Sequence, residues 1–272
     1  MNDMNASQTP SVPVKEGSRT VRSVVHAVKL LKSLSRSSGP TSLGELAADV
    51  GLSKPATFNL LKTLEIEGLV AKDGSAQYRL TWGMYELGSA VVRSTDLTRV
   101  GRFHLDSLAD ATGEAVLLAI MDEDSVLYVD RGQSADSFAM VANVGRRSPL
   151  HTNASGKVLL AWQSREFVDE FLASGPLERK TPYTITDPDA LRRELAAVRR
   201  DGYAMCAQEQ EEGLSSISVP VIGHTGEIVA AMTIAAPTQR IDLRSAPALR
   251  TQLMTEAAAM SKHLGAEASI GA

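Results

Sequence analysis

The chain has a single cysteine, Cys206, so an internal disulfide is excluded, and one thiol among five scattered histidines offers no metal-ligand spacing. Neither a metal nor any other cofactor is expected. No apolar run reaches the roughly 18 residues of a membrane span, and Met1 to Ser18 lacks the basic-then-apolar order of a secretory signal. These absences point to a cytoplasmic protein without a membrane partner. Catalytic signatures are missing as well: there is no Gly-x-Ser-x-Gly and no Ser-x-x-Lys, and Ser155-Gly156-Lys157 has the wrong spacing. Cys206 with His151 or His224 is conceivable as a thiolate pair, but a lone cysteine is more often packing than nucleophile. No catalytic residue is therefore expected, and a Cys or Ser hydrolase is the weakest alternative.

Net basic charge is also lacking, at −4 over 272 residues, yet it is unevenly spread. Residues 1–80 hold ten Lys/Arg against seven Asp/Glu, leaving 18 against 25 for the rest, so only the first segment suits phosphate. No repeat of 20–50 residues is visible. Residues 1–18 are polar and punctuated by Pro10 and Pro13, which predicts a disordered arm.

From Val21 to Leu34, apolar residues at Val21, Val24, Val25, Val28, Leu31 and Leu34 follow the spacing of an amphipathic helix. Ser42-Leu43-Gly44-Glu45 starts a second helix as a capping box. Gly51 makes a tight turn, Ser53 caps a third helix over about Lys54 to Glu67, and Pro55 fits its first turn. Leu69–Lys72 and Gln77–Leu80 flank Asp73-Gly74 as a small hairpin. Three helices and a hairpin predict a winged helix-turn-helix over residues 19–80, with a linker helix over 81–96 and a second domain over 97–267.

In such a motif the third helix enters the major groove. Ala56, Leu60, Leu61 and Leu64 are expected to face the domain core, and Lys54, Thr57, Phe58, Asn59 and Lys62 the groove, with Ser53 at the helix start. Asn59 can donate to and accept from adenine. Arg22, Lys54, Lys62 and Lys72 are the expected phosphate contacts. The alternative is a winged helix that binds protein instead of DNA.

Beyond Glu114 the texture turns α/β. Strands are expected at Ala115–Met121, Val126–Val129, Phe138–Asn143, Tyr203–Ala207, Ser216–Val221 and Ile228–Ala235. A helix from about Pro188 to Arg200 has Asp187 as cap, and a last helix has Ser245 as cap and Pro247 in its first turn.

Leu43-Gly44-Glu45-Leu46-Ala47, Gly51-Leu52-Ser53-Lys54, Leu60 to Leu64 and Gly68-Leu69-Val70, followed in order by Ser148-Pro149-Leu150-His151, Ala154-Ser155-Gly156-Lys157, Asp201-Gly202-Tyr203-Ala204, Glu212-Gly213-Leu214 and Ser218-Val219-Pro220-Val221, resemble the IclR family of regulators across about residues 20–265. The resemblance implies an α/β (α+β) chain: the winged helix-turn-helix plus a GAF-like effector-binding domain with an antiparallel sheet. It further implies double-stranded operator DNA as partner and a homodimer or dimer of dimers. It places the effector contacts at Ala154, Ser155, Cys206, Ser216, Thr233 and Ala235. Two residues depart from the family's pattern: Asn59 where an arginine is frequent in the recognition helix, and Ser216 where many members carry cysteine.

Residue chemistry adds two points. Asn153 to Gly156 leads into an apolar helix whose first N–H groups can hold a carboxylate, although on the residues alone plain capping is the commoner use. Relative to the family's pattern, a hydroxyl at Ser216 in place of a thiol and Cys206 in place of an acidic residue make the pocket less anionic, which favours an acidic or neutral aromatic effector over a cation, with an organic or aromatic carboxylic acid as the expected class. Effector binding is expected to act through the Trp82–Ser94 helix on the spacing of two recognition helices.

Overall fold

The computed structural model describes residues 20–93, 96–132, 143–239 and 247–266, and it divides between Ser94 and Thr95 into two compact units. Within the linker expected over 81–96, Trp82–Arg93 is helical and belongs to the first unit, and Asp96 begins a helix of the second. The expected arm over 1–18, most of the expected strand over 138–143 and the cap Ser245 lie outside the described residues.

The first unit runs α1 (Arg22–Arg36), β1 (Thr41–Ser42), α2 (Leu43–Val50), α3 (Lys54–Ile66), β2 (Val70–Lys72), β3 (Gln77–Leu80) and α4 (Trp82–Arg93). Local chemistry sets most of these boundaries. The Ser42 hydroxyl accepts from Glu45 N–H while the Glu45 carboxylate accepts from Ser42 N–H, a reciprocal cap that also holds the Glu45 carboxyl below its ordinary pKa. Gly51 ends α2 at φ 70°, which costs a glycine little, and the Ser53 hydroxyl then accepts from Ala56 N–H to start α3. Strands pair antiparallel in the order β1-β3-β2, with Asp73 Oδ1 accepting from Ser75 and Gln77 N–H at the wing turn. Leu30, Leu34, Leu46, Leu61, Leu64, Val70 and Tyr78 close the core.

The start of α1 differs from expectation. Its buried residues are Leu30, Ser33 and Leu34, whereas Val21, Val24, Val25 and Val28 are exposed. The amphipathic spacing is real, but α1 buries only its C-terminal half in this chain.

The second unit runs α5 (Asp96–Thr112), β4 (Ala115–Asp122), β5 (Ser125–Gly132), β6 (Arg147–Pro149), α6 (Ala154–Ala161), α7 (Arg165–Ala173), α8 (Pro188–Asp201), β7 (Ala204–Ala207), β8 (Leu214–Ile222), β9 (Ile228–Pro237) and α9 (Pro247–His263). Its six strands form one antiparallel sheet in the order β6-β5-β4-β9-β8-β7. Because side chains alternate across a pleated strand, each inner strand feeds two cores. Leu117, Ala119, Ala231 and Ala235 join Val158, Leu159, Leu160 and Leu195 of α6 and α8 on one face. Val116, Leu118, Ile217, Met232 and Ile234 join Leu105, Leu108, Leu253 and Met260 of α5 and α9 on the other. This is the sheet with helices around it that the resemblance implied.

Candidate functional site

On α3 the core-facing stripe is Thr57, Leu61 and Leu64. Thr57 corrects the expectation that it faces the groove: it is wholly buried, and its hydroxyl donates to the Ser53 carbonyl at 3.1 Å. A β-branched residue whose hydroxyl is satisfied one turn back packs like an apolar one. The opposite side presents Lys54, Asn59 and Lys62 together with Phe58, whose ring is 43% exposed. Lys62 also meets Glu65 at 2.9 Å; such an exposed pair is worth about 0–1 kcal/mol and does not stop the ammonium from turning to a phosphate. Arg22 is exposed at the start of α1, and Lys72 lies 5.7 Å over the Tyr78 ring on the wing.

In the second unit, five of the six residues expected at the effector site line one cavity: Ser155, Cys206, Ser216, Thr233 and Ala235. Ala154 is the exception. It is fully buried in the core at the start of α6 and is not part of the cavity wall. The wall also includes Tyr128, Arg146, Ser148, Gln210 and Glu211, which sequence reasoning missed.

Hydroxyls organise the interior. Ser155 Oγ and Thr233 Oγ1 are 2.8 Å apart, and Thr233 in turn donates to Ser218 Oγ at 2.8 Å. The Tyr128 phenol hydrogen-bonds Ser155 and Ser148, and burial raises its pKa, so it stays protonated at neutral pH. Asn153 caps α6 by accepting from Gly156 N–H at 2.9 Å, which removes that N–H from the anion-holding role expected of it. Cys206 donates to the Thr152 carbonyl at 3.2 Å, and burial, aided by the Glu209 carboxylate, pushes its thiol up to about 12. The thiol is neutral at physiological pH. Arg147 is held outside by Asp122 and the Ser125 hydroxyl, whereas the exposed Arg146 contributes to the cavity wall.

His151 donates through Nε2 to the Glu178 carbonyl at 2.9 Å. Burial lowers its pKa more than the neighbouring carboxylates raise it. An unfolded histidine titrates near about 6.5, so this contribution is present above that pH and is lost as pH falls through the lower native value. The urea midpoint is expected to decline as pH drops below about 6.5, and His151→Gln should flatten that decline. An unchanged slope would show that other groups control it.

A winged helix-turn-helix with a basic, outward-facing third helix, carried on one chain with an α/β unit that encloses a cavity, defines a DNA-binding regulator that answers to a small molecule. Comparisons specify which. Residues 23–74 match the IclR helix-turn-helix domain and residues 89–262 match the C-terminal domain of bacterial IclR transcriptional regulators. The chain is 35% identical over 247 residues to the HTH-type transcriptional regulator KdgR of Escherichia coli K12, covering 90% of this chain and 94% of that protein. Among solved structures, the Thermotoga maritima IclR shares 29% identity at a TM-score of 0.75, covering 90% of this chain and 99% of that one. An IclR homologue from Microbacterium hydrocarbonoxydans in complex with 4-hydroxybenzoate shares 26% identity at a TM-score of 0.79, covering 89% and 98%. The chain belongs to the IclR family: it is a DNA-binding transcription regulator whose operator binding is modulated by a small-molecule effector.

Proposed function

We propose that the effector is a small hydroxylated carboxylic acid, bound in the cavity between Arg146 and the hydroxyls of Ser155, Ser216 and Thr233. The observation that carries this is the placement of Arg146 and Glu211 on the wall of one cavity. A guanidinium matches a carboxylate in geometry and charge, and a carboxylate on the wall accepts from a ligand hydroxyl. The homologue that binds 4-hydroxybenzoate has both groups in its ligand. Against a hydrolytic role stands the Cys206 thiol, raised to about 12 and donating to a carbonyl, with His151 engaged at Glu178.

The protein acts in the cytoplasm as a homodimer or dimer of dimers on a pseudo-palindromic operator. Exposed Val21, Val24, Val25 and Val28 offer a second copy an apolar stripe. Among the described residues no helix is long and apolar enough to cross a membrane. Ser53, Lys54, Phe58, Asn59 and Lys62 meet the major groove, with Arg22 and Lys72 on flanking phosphates. Effector occupancy changes the spacing of the two recognition helices through α4.

A thermal-shift screen against hydroxy, aromatic and 2-oxo acids tests the assignment. A true effector at a hundredfold excess over Kd stabilises by about 2.7 kcal/mol and releases an operator duplex. Arg146→Ala should abolish the shift for carboxylates. Ser216→Phe should abolish the response and leave operator binding intact. Shifts from amines or neutral sugars, or an Arg146→Ala protein that responds as before, would refute an acid held at Arg146.

A further inference from the structure

Lys157 is fully buried on α6. Its ammonium meets Glu209 Oε1 at 2.6 Å and Glu194 Oε1 at 3.1 Å. Burial favours the neutral amine, but the Cys206 sulfur and the Glu209 and Glu194 carboxylates outweigh it and raise the lysine's pKa. Since the Cys206 thiol is protonated at neutral pH, the two carboxylates supply the attraction there. A buried ion pair is seldom more stabilising than well-packed apolar side chains would be, so fixing a particular geometry is its better-attested use.

The geometry fixed here is that of residues 208–213, between β7 and β8. Gln210 and Glu211 of this segment form part of the cavity wall. The segment is fastened at several points. Thr181 Oγ1 donates to Gln208 O and Thr184 Oγ1 to Glu209 O, each at 2.7 Å. Thr152 Oγ1 donates to Gln210 Oε1, and Gly213 N–H to Gln208 Oε1 at 2.9 Å. Gln208 sits at φ 61°, in the left-handed region that costs a side-chain-bearing residue strain. Behind this segment the space open to the centre of a water molecule is about 40 Å³, room for a few waters at roughly 10–15 Å³ each. In so tight a space the position of this wall governs what can enter.

We propose that the Lys157–Glu209 pair is the latch on this wall: it holds residues 208–213 closed over the cavity, and Lys157 is a positioning residue that sets how readily the cavity opens. Its relevance to effector entry rests on the function proposed above. The latch itself does not, because it can be tested without any effector.

Cys206 is the chain's one thiol and lies on the same cavity wall, only 4% exposed, so its reaction with a maleimide reads opening in the otherwise native protein. Electrostatics and opening make opposite predictions for one variant. Glu209 raises the thiol's pKa and Lys157 lowers it. Through charge alone, Glu209→Gln would speed labelling and Lys157→Met would slow it. The latch predicts that both speed it, by about tenfold or more, with faster hydrogen exchange confined to amides 208–213. Leu253→Ala, in the core on the opposite face of the sheet, controls for general loosening. Slower labelling in Lys157→Met, or equal acceleration in a Leu253→Ala protein of matched stability, would overturn the latch. If Lys157→Met does not fold, hydrogen exchange in Glu209→Gln decides: wild-type exchange at 208–213 would equally overturn it. Failure of every acid in the thermal-shift screen would leave these rates unchanged, so the two proposals fail separately.

Discussion

Gly156→Ala should be among the most damaging single substitutions in this chain, costing about 3 kcal/mol or more of the second unit's stability. A Cβ on Gly156 would lie 2.1 Å from the Leu150 carbonyl oxygen and 2.6 Å from its carbon. Both are backbone atoms and cannot rotate away. Leu150 and residues 154–160 of α6 are buried on the cavity face of the sheet, so neither partner can withdraw without opening that core. The substitution strikes the helix start that Asn153 caps and that carries Ser155 into the cavity, so effector binding should fall with stability. Urea unfolding read by Trp162 fluorescence in a Trp82→Phe background isolates this unit, because Trp162 packs against its core whereas Trp82 is 82% exposed in the other. A loss under about 1 kcal/mol, typical of an average substitution, would mean that α6 shifts freely over Leu150.

The second large effect is expected on α3. Asn59→Ala should cost about 1–3 kcal/mol of binding, concentrated at one base pair, because a paired donor and acceptor on a base edge is what discriminates that base. Lys62→Ala should weaken every duplex alike and reduce the dependence of log K on log salt by about 0.9 for the lost phosphate contact. Phe58 lies beside Asn59 on the exposed side, where its ring can meet a thymine methyl. The measurement is the affinity of full-length protein for a site selected from random duplexes and for each single-base-pair variant of it, at two or more salt concentrations. Uniform losses across all sequences for both substitutions would refute the division between reading and positioning.

Much of the first unit was legible because its signals are local. The Ser42–Glu45 box, the turn at Gly51, the cap at Ser53 and the Asp73-Gly74 wing are each settled within five residues. The misreadings there have definite causes. Thr57 escaped because a threonine whose hydroxyl bonds back to Ser53 occupies a core position that apolar spacing does not reveal. The α1 valines follow a helix period, and period alone does not say how much of the stripe the chain itself covers. In the second unit α7 was not anticipated, although Ser164 caps it by accepting from Phe167 N–H, and Phe167, Val168, Phe171 and Leu172 carry a usable apolar spacing. Strand β6 is only three residues long and has no pattern to read.

The cavity wall was the least accessible to sequence reasoning. Tyr128 on β5, Arg146 just before β6 and the Gln210-Glu211 pair between β7 and β8 are far apart in the chain, and no sequence spacing links these three places. Ala154 was carried over by resemblance as a contact, but the turn of α6 directs it into the core and its neighbour Ser155 into the cavity.

The two-faced sheet has a bearing on how this protein can be adapted. Strand positions that shape the cavity, such as Leu117, Ser216, Thr233 and Ala235, alternate with positions such as Val116, Ile217, Met232 and Ile234 that build the core under α5 and α9. A designer can therefore vary Ser216 and Thr233 while the alternate residues keep the core under α5 and α9 assembled, whereas Leu117 and Ala235 also pack against α6 and α8 and tolerate less change. Recognition of a new metabolite can then be altered without touching the packing on the far face of the sheet, which makes this half of the chain a practical starting point for a tailored biosensor.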